Sequence, residues 1–162
     1  MDLSTVIEQV QMSEGVARGA LKDLTHEQSL FQPPDGGNCP NWILGHLNLS
    51  RATWLGMLGA KAPWADDKYA RYNMGSEPLA DGSGAVDFAE MVNDFFALTK
   101  PLSEALAAAS PETLAQSSPF DMKGDGSTTV GMMMSGMAFH DAYHLGQIAI
   151  LRRMLELAPA VG

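Results

Sequence analysis

Residues 128–157 read TTVGMMMSGMAFHDAYHLGQIAILRRMLEL, and their apolar side chains recur at the spacings of three and four that are typical of a helix. One continuous stripe is formed by Met133, Met137, His140, His144, Ile148, Leu151 and Leu155. Ser127 or Thr128 is suited to cap the start, and the Ala158-Pro159 pair is suited to stop the helix. The sequence therefore predicts one long helix that ends near Leu157.

Three other segments show the same period, and none shows convincing strand alternation. Helices are predicted over about 4–24, 41–58 and 83–109, the third with Ser83 as its cap. Pro101 is expected to kink that third helix, because its ring clashes with the carbonyl four residues earlier. Two long polar loops, 59–84 and 110–127, connect these segments. The prediction is an all-α fold, a four-helix bundle in a single domain that spans residues 1–162.

Composition excludes several classes of function. The 162 residues contain 10 Lys and Arg against 19 Asp and Glu, a net charge of −9. That acidic balance argues against binding to nucleic acid or to an anionic membrane surface. No run of about 18 apolar residues is present, and residues 1–5 lack the basic start of a signal peptide. A single cysteine, Cys39, fits a reducing compartment, so a soluble cytoplasmic protein is expected.

Three of the four histidines fall on predicted inward helix faces. His140 and His144 are four residues apart, so both imidazoles project from one face of one helix. His46, in the middle of the second predicted helix, can supply a third ligand across the bundle. Three neutral imidazoles leave a coordination position open for water or substrate, as in catalytic metal sites. The fourth histidine, His26, lies in a polar stretch at a helix end and is interpreted as a solvated surface residue.

Other interpretations of these histidines remain open. They can also be core residues that hydrogen bonds satisfy without a metal. Two further metal motifs do not fit: Asp141 replaces the glutamate of the His-Glu-x-x-His motif, and the sequence contains no Glu-x-x-His. A zinc finger is excluded by the single cysteine.

The segments NWILGHL at 41–47 and FHDAYHLGQI at 139–148 resemble the histidine motifs of the DinB/YfiT-like superfamily. The resemblance covers essentially the whole chain. It implies an up-down-down-up bundle in which His46, His140 and His144 hold a divalent metal, zinc or nickel above all. It also implies a homodimer. Characterised members include bacillithiol S-transferases and mycothiol-dependent maleylpyruvate isomerase, so a low-molecular-weight thiol and a small-molecule substrate are the implied ligands.

The resemblance leaves two functions in competition. One is a metal-dependent enzyme that carries out thiol transfer or a related addition or hydrolysis, because a metal deprotonates a thiol that coordinates it. The other is a non-catalytic binding or stress-response module on the same scaffold. The long loop 59–84 is where we expect substrate choice to be decided.

Several neighbouring side chains are weaker candidates for a role at the site. Asp141, Gln147 and Asn48 either orient the imidazoles or make ordinary interhelical hydrogen bonds. Tyr143 and Arg152 either contact substrate or cover a helix face.

Overall fold

The computed structural model describes residues 3–79 and 81–161, and these residues are all-α apart from one isolated β-bridge between Ser117 and Thr129. A 3₁₀ helix occupies Ala70–Tyr72. The α-helices are α1 (Ser4–Leu21), α2 (His26–Ser29), α3 (Pro40–Met57), α4 (Phe88–Ala97), α5 (Thr99–Ala108), α6 (Pro111–Ala115) and α7 (Val130–Met154). Within the described ranges, none of these helices has both the length and the apolar character needed to cross a membrane.

The predicted helices are present, with shifted ends. α7 starts after Thr129, whose hydroxyl accepts a hydrogen bond from the Met132 amide, and it ends at Met154, a few residues before the predicted end. In the first predicted helix, α1 ends at Leu21 instead of 24. These differences are confined to the ends, where periodicity carries the least information.

The predicted helix over 83–109 is wrong at its start, because Asp87, not Ser83, caps it by accepting from the Glu90 amide. The segment is interrupted at Leu98, between α4 and α5. This is where the Pro101 kink is expected, because its ring clashes with the carbonyl four residues earlier, that of Ala97. Pro101 itself lies in the first turn of α5. Proline is tolerated there because the first amides of a helix have no intrahelical acceptor to lose.

The packing of the helices places α7 between two neighbours. α7 lies against both α1 and α3, α5 also contacts α1 and α3, and α4 contacts α3. Two groups of buried apolar side chains fill the space between these helices. Polar groups on facing sides of α3 and α7 are therefore brought together.

Part of the loop between α3 and α4 is buried, although its sequence is mostly polar. Its Tyr69, Tyr72 and Leu79 are almost completely buried. The Tyr72 ring lies against Gly45 of α3, where a β-carbon would come within 2.3 Å of the ring. The Tyr72 hydroxyl donates to Asn41 Oδ1 at 3.0 Å and accepts from the Val86 amide at 2.8 Å. These contacts fix the loop against the α3 face that carries His46.

Candidate metal centre

His46 of α3 meets His140 and His144 of α7 at the contact between the two helices. One potential ligand atom from each residue lies within 4.8 Å of the other two, and all three side chains are half-buried. The ring centroids are 4.5 Å apart for His140 and His144 and 5.0 Å apart for His46 and His144. The structure therefore assembles all three histidines that the sequence analysis selected.

A backbone carbonyl sets the orientation of His46. The Nδ1 of His46 is 3.0 Å from the carbonyl oxygen of Tyr72, which can only accept a hydrogen bond. Nδ1 therefore carries the ring hydrogen, and Nε2 keeps a free lone pair. The Trp42 indole stacks on the imidazole with centroids 5.1 Å apart and fixes its plane. In this way the buried loop, through Tyr72, holds a candidate ligand in place.

A side-chain amide sets the orientation of His144. Its Nδ1 is 2.7 Å from Oε1 of Gln147, one turn along α7. Because that oxygen is an acceptor, Nδ1 carries the hydrogen and Nε2 is left free for a ligand. Of the two alternatives for Gln147, the structure shows the one in which its side chain contacts an imidazole.

His140 differs from the other two in its hydrogen bonds. Its Nε2 is 3.1 Å from Nε2 of His46, and the edge of its ring meets Trp54, with centroids 5.1 Å apart. Its Nδ1 is buried and has no hydrogen-bond partner. Such an atom is unusual in a native interior, so the metal-free hydrogen bonds alone do not explain this site.

Burial keeps two of the imidazoles uncharged at neutral pH. Desolvation lowers the pKa of His46, and it lowers the pKa of His144 to about 4. Repulsion from His140 adds to both shifts and is the smaller cause. Since a metal binds only the neutral imidazole, these two residues can coordinate an ion without first losing a proton.

Asp141 is fully buried and forms an ion pair with Arg51 of α3, which is also fully buried. Nη2 of Arg51 is 2.6 Å and Nε is 3.0 Å from Oδ2 of Asp141. Arg51 was not selected from the sequence. Its position, four residues after Leu47 and three before Trp54, places it on the inward stripe of the predicted helix and is the signal that could have found it.

Of the remaining candidates, Asn48 and Arg152 have other partners, whereas Tyr143 contacts His144. Asn48 donates to the Met91 carbonyl of α4 at 3.0 Å. Arg152 is buried and donates to the carbonyls of Ala20, Lys22 and Ala158, so it closes the end of α1 and has no exposed face for substrate. Tyr143 is 56% exposed, and its ring packs edge-on against His144.

His26 has a more specific role than the sequence suggested. It is exposed, as expected, but its Nδ1 accepts a hydrogen bond from the Phe88 amide at 3.2 Å. Phe88 is the first residue of α4, and the first amides of a helix need acceptors from outside it. His26 is therefore a cap for α4 that lies apart from the other three histidines.

The arrangement is compatible with a divalent metal ion. At the usual zinc–nitrogen distances, two nitrogens bound to one tetrahedral zinc lie about 3.3 Å apart. The 3.1 Å between the Nε2 atoms of His46 and His140 is close to that value. The three half-buried imidazoles therefore form a group that can hold a metal ion. Two of them also make a hydrogen bond through the ring nitrogen that would not bind the metal.

Comparison with known sequences places the chain in a family. No curated protein sequence gives a significant match. The model of the DinB superfamily matches residues 9–148, a range that includes His46, His140 and His144. The match covers most of the 162 residues, and the chain belongs to the DinB superfamily.

Proposed function

We propose that this protein binds one divalent metal ion, zinc or nickel, through His46, His140 and His144. The observation that carries the proposal is the convergence of three imidazole ligand atoms within 4.8 Å at the contact of α3 and α7. The outer hydrogen bonds at Tyr72 and Gln147 support it, because metal-bound histidines almost always donate their second ring N–H.

The competing interpretation is a metal-free pair of hydrogen-bonded histidines. It accounts for the 3.1 Å contact between His46 and His140. It does not give Nδ1 of His140 a partner among the described residues, and it does not account for the convergence of His144 with the other two ligand atoms. For these reasons we favour the metal site.

Metal content tests this proposal. We expect near-stoichiometric metal in untagged protein purified without chelator, and its loss from His46→Ala, His140→Ala and His144→Ala. His26→Ala is the matched control: it removes the fourth histidine, which does not meet the other three, and we expect it to keep its metal. A wild-type protein that stays empty and also fails to take up added zinc or nickel would overturn the proposal.

We further propose that the site serves a metal-dependent enzyme that uses a low-molecular-weight thiol. A bound metal supplies a Lewis acid that holds a coordinating thiol as its thiolate. The protein contributes three imidazole ligands and two aromatic walls, Trp42 and Trp54, which keep the imidazoles in place. Asp141 does not act as a general base in this proposal, because Oδ2 is bound by Arg51 and Oδ1 is buried.

Cobalt-substituted protein can test for thiol ligation. We expect added glutathione to give a sulfur-to-cobalt absorption band in the near ultraviolet, and His144→Ala to lose it together with the metal. Loaded protein that shows no spectral change with several thiols would favour the non-catalytic binding or stress-response module.

The same helices support the topology that the family implies. We propose a single domain over residues 1–162 with an up-down-down-up four-helix bundle, in which α4 and α5 together form one of the four helices. The support is that α1, α3 and α7 each pack against two or more of the other long helices, as in such a bundle.

We propose that the protein forms a homodimer through an apolar face made by α1, α7 and the segment after α7. Its exposed large side chains are Met12, Val16, Phe139, Tyr143, Ile150 and Val161. They expose roughly 600 Å², taking about 150–200 Å² for each whole side chain. That area is near the lower end of what one partner contributes to a stable interface.

Charge favours a second copy on that face. Among the described residues, Arg153 is the only charged one that lines the groove between α1 and α7, although the chain carries a net charge of −9. Two copies can therefore meet there without bringing acidic groups together. We expect a dimer in sedimentation equilibrium, dissociated by Ile150→Lys and retained by Met74→Lys, a control at another exposed residue outside this face. A wild-type monomer at high protein concentration would contradict the dimer.

A further inference from the structure

Two buried polar atoms next to the histidine cluster face each other without a hydrogen bond. Nδ1 of His140 and Oδ1 of Asp141 are 4.0 Å apart, and neither has any other partner. Both atoms are shielded from solvent, where an unpaired polar group costs about 1–3 kcal/mol. The pair therefore needs a physical explanation.

The position of the ring hydrogen on His140 explains why the two atoms form no hydrogen bond in the metal-free protein. His46 donates its Nδ1 hydrogen to the Tyr72 carbonyl, so its Nε2 can only accept. The hydrogen in the 3.1 Å contact between the two Nε2 atoms must then belong to His140. A neutral imidazole has only one such hydrogen, so Nδ1 of His140 is a bare lone pair that faces a carboxylate oxygen. Two acceptors repel each other, and the separation of 4.0 Å follows.

We infer that Asp141 is the positioning residue for His140 in the metal-bound protein, where it accepts a hydrogen bond from Nδ1. The inference rests on the proposed metal site. When Nε2 of His140 is a metal ligand it cannot keep its hydrogen, and a neutral ring then carries the hydrogen on Nδ1. The ring loses one hydrogen from Nε2 and gains one on Nδ1, so its charge is unchanged. Oδ1 of Asp141, the free acceptor, then has a donor in front of it.

Arg51 makes Asp141 suitable for this role. It binds Oδ2 through Nη2 and Nε, which leaves Oδ1 as the oxygen directed at His140. Its Nη1 also lies 3.4 Å from the Phe95 carbonyl and from Oγ1 of Thr99, at the junction of α4 and α5. The guanidinium stacks 3.7 Å from the centre of the Phe95 ring. The carboxylate is thus fixed by several elements before any ligand binds. With Asp141 in this role, each of the three imidazoles donates its second ring hydrogen to an acceptor: the Tyr72 carbonyl for His46, Gln147 for His144 and Asp141 for His140.

Nitrogen NMR of histidine-labelled protein tests the hydrogen positions directly. In metal-free wild type we expect the His140 hydrogen on Nε2. After addition of zinc we expect it on Nδ1, as a resonance protected from exchange with water. A His140 ring that already carries its hydrogen on Nδ1 without metal, or whose Nδ1 hydrogen exchanges freely in the zinc form, would overturn the inference. Because ligation through Nε2 alone places the hydrogen on Nδ1, the slow exchange of this hydrogen, and not its position, reports the bond to Asp141. In zinc-bound Asp141→Asn we expect that protection to be lost.

Zinc affinity in competition with a chelator gives a second readout. In Asp141→Asn the amide oxygen stays with Arg51, so the amide N–H faces His140 and favours the hydrogen on Nε2. We expect zinc to bind about 10- to 100-fold more weakly. The double variant Arg51→Met/Asp141→Leu removes the acceptor without leaving a buried charge, and we expect the same fall in a protein that still folds.

The control is Glu14→Gln, which removes a carboxylate from an ion pair with Arg18 within α1 that involves neither the imidazoles nor loop 59–84. We expect it to bind zinc as the wild type does. Wild-type affinity in both Asp141 variants would overturn the inference and leave the metal site standing. A wild type that binds no zinc would overturn the metal site, and the inference with it.

Discussion

Two buried arginines, Arg51 and Arg152, show how differently two regions of the molecule use the same side chain. Arg51 lies between α3 and α7 and neutralises a carboxylate beside the histidine cluster. Arg152 lies near the end of α7 and donates to backbone carbonyls at the end of α1 and in the segment after α7. Carbonyls are neutral, so the loss of Arg152 leaves no buried charge. The comparison indicates that changes around Arg51 alter stability and metal binding together, whereas changes around Arg152 alter stability alone.

The largest effect is expected for Arg51→Met. This change leaves the Asp141 carboxylate buried without a counter-charge, and breaking such a pair costs about 3–5 kcal/mol. We expect that loss in urea unfolding of the metal-free protein, and most of it should be recovered in Arg51→Met/Asp141→Leu. Equal destabilisation in the single and double variants would show that the ion pair is not the reason for the loss.

Arg152→Met is expected to have the next largest effect. Hydrogen bonds from a charged group contribute about 1.5–3 kcal/mol, and the carbonyls of Ala20, Lys22 and Ala158 would lose their donor. Urea unfolding should show a loss of that size, while metal content should stay that of the wild type. A fall in metal content with an intact fold would end the distinction between the two regions.

The three histidines could be predicted from the sequence because helical period alone places His140 and His144 on one face and His46 on an inward stripe. Their outer partners could be predicted only in part. Gln147 is three residues from His144 on the same helix, so spacing reveals it. The Tyr72 carbonyl is a backbone atom, and any residue type could supply it, so no sequence pattern marks it.

Other features were missed because they depend on contacts between distant segments. The start of the third predicted helix at Asp87 instead of Ser83 is one of them, because both residue types are suitable caps and only the contacts of the loop decide between them. The role of His26 depends on the Phe88 amide, 62 residues away. Asp141 is a candidate in the sequence and Arg51 lies on an inward helix face, but only the contact of α3 with α7 pairs them.

Gly45→Ala gives a smaller effect that sharpens the comparison. A β-carbon at this position would overlap the Tyr72 ring, and overpacking of this kind costs about 1–3 kcal/mol. The ring must shift and carry the Tyr72 carbonyl away from His46, so we also expect weaker zinc binding by chelator competition. Gly146→Ala is the matched control, because a β-carbon there meets nothing within 4 Å. Unchanged zinc affinity in Gly45→Ala would show that the loop does not hold His46.

The last prediction concerns pH. The pKa of His144 is about 4 in the folded protein against an ordinary value of 6.5, so the unfolded chain binds its proton more readily. The contribution of His144 to the stability of the metal-free protein is complete above pH 6.5 and is lost as the pH falls towards 4. Thermal unfolding should therefore show a steeper loss between pH 6.5 and 4 in wild type than in His144→Ala. The same slope in both proteins would contradict this pKa.

The central claim is that one ion is shared by three histidines from two helices. A crystal structure of the zinc-loaded protein, with anomalous data on both sides of the zinc edge, tests it most directly. We expect a single strong peak within about 2.0–2.1 Å of one nitrogen each from His46, His140 and His144. Zinc that occupies other residues, or no peak between α3 and α7 in protein soaked with excess zinc, would contradict the claim.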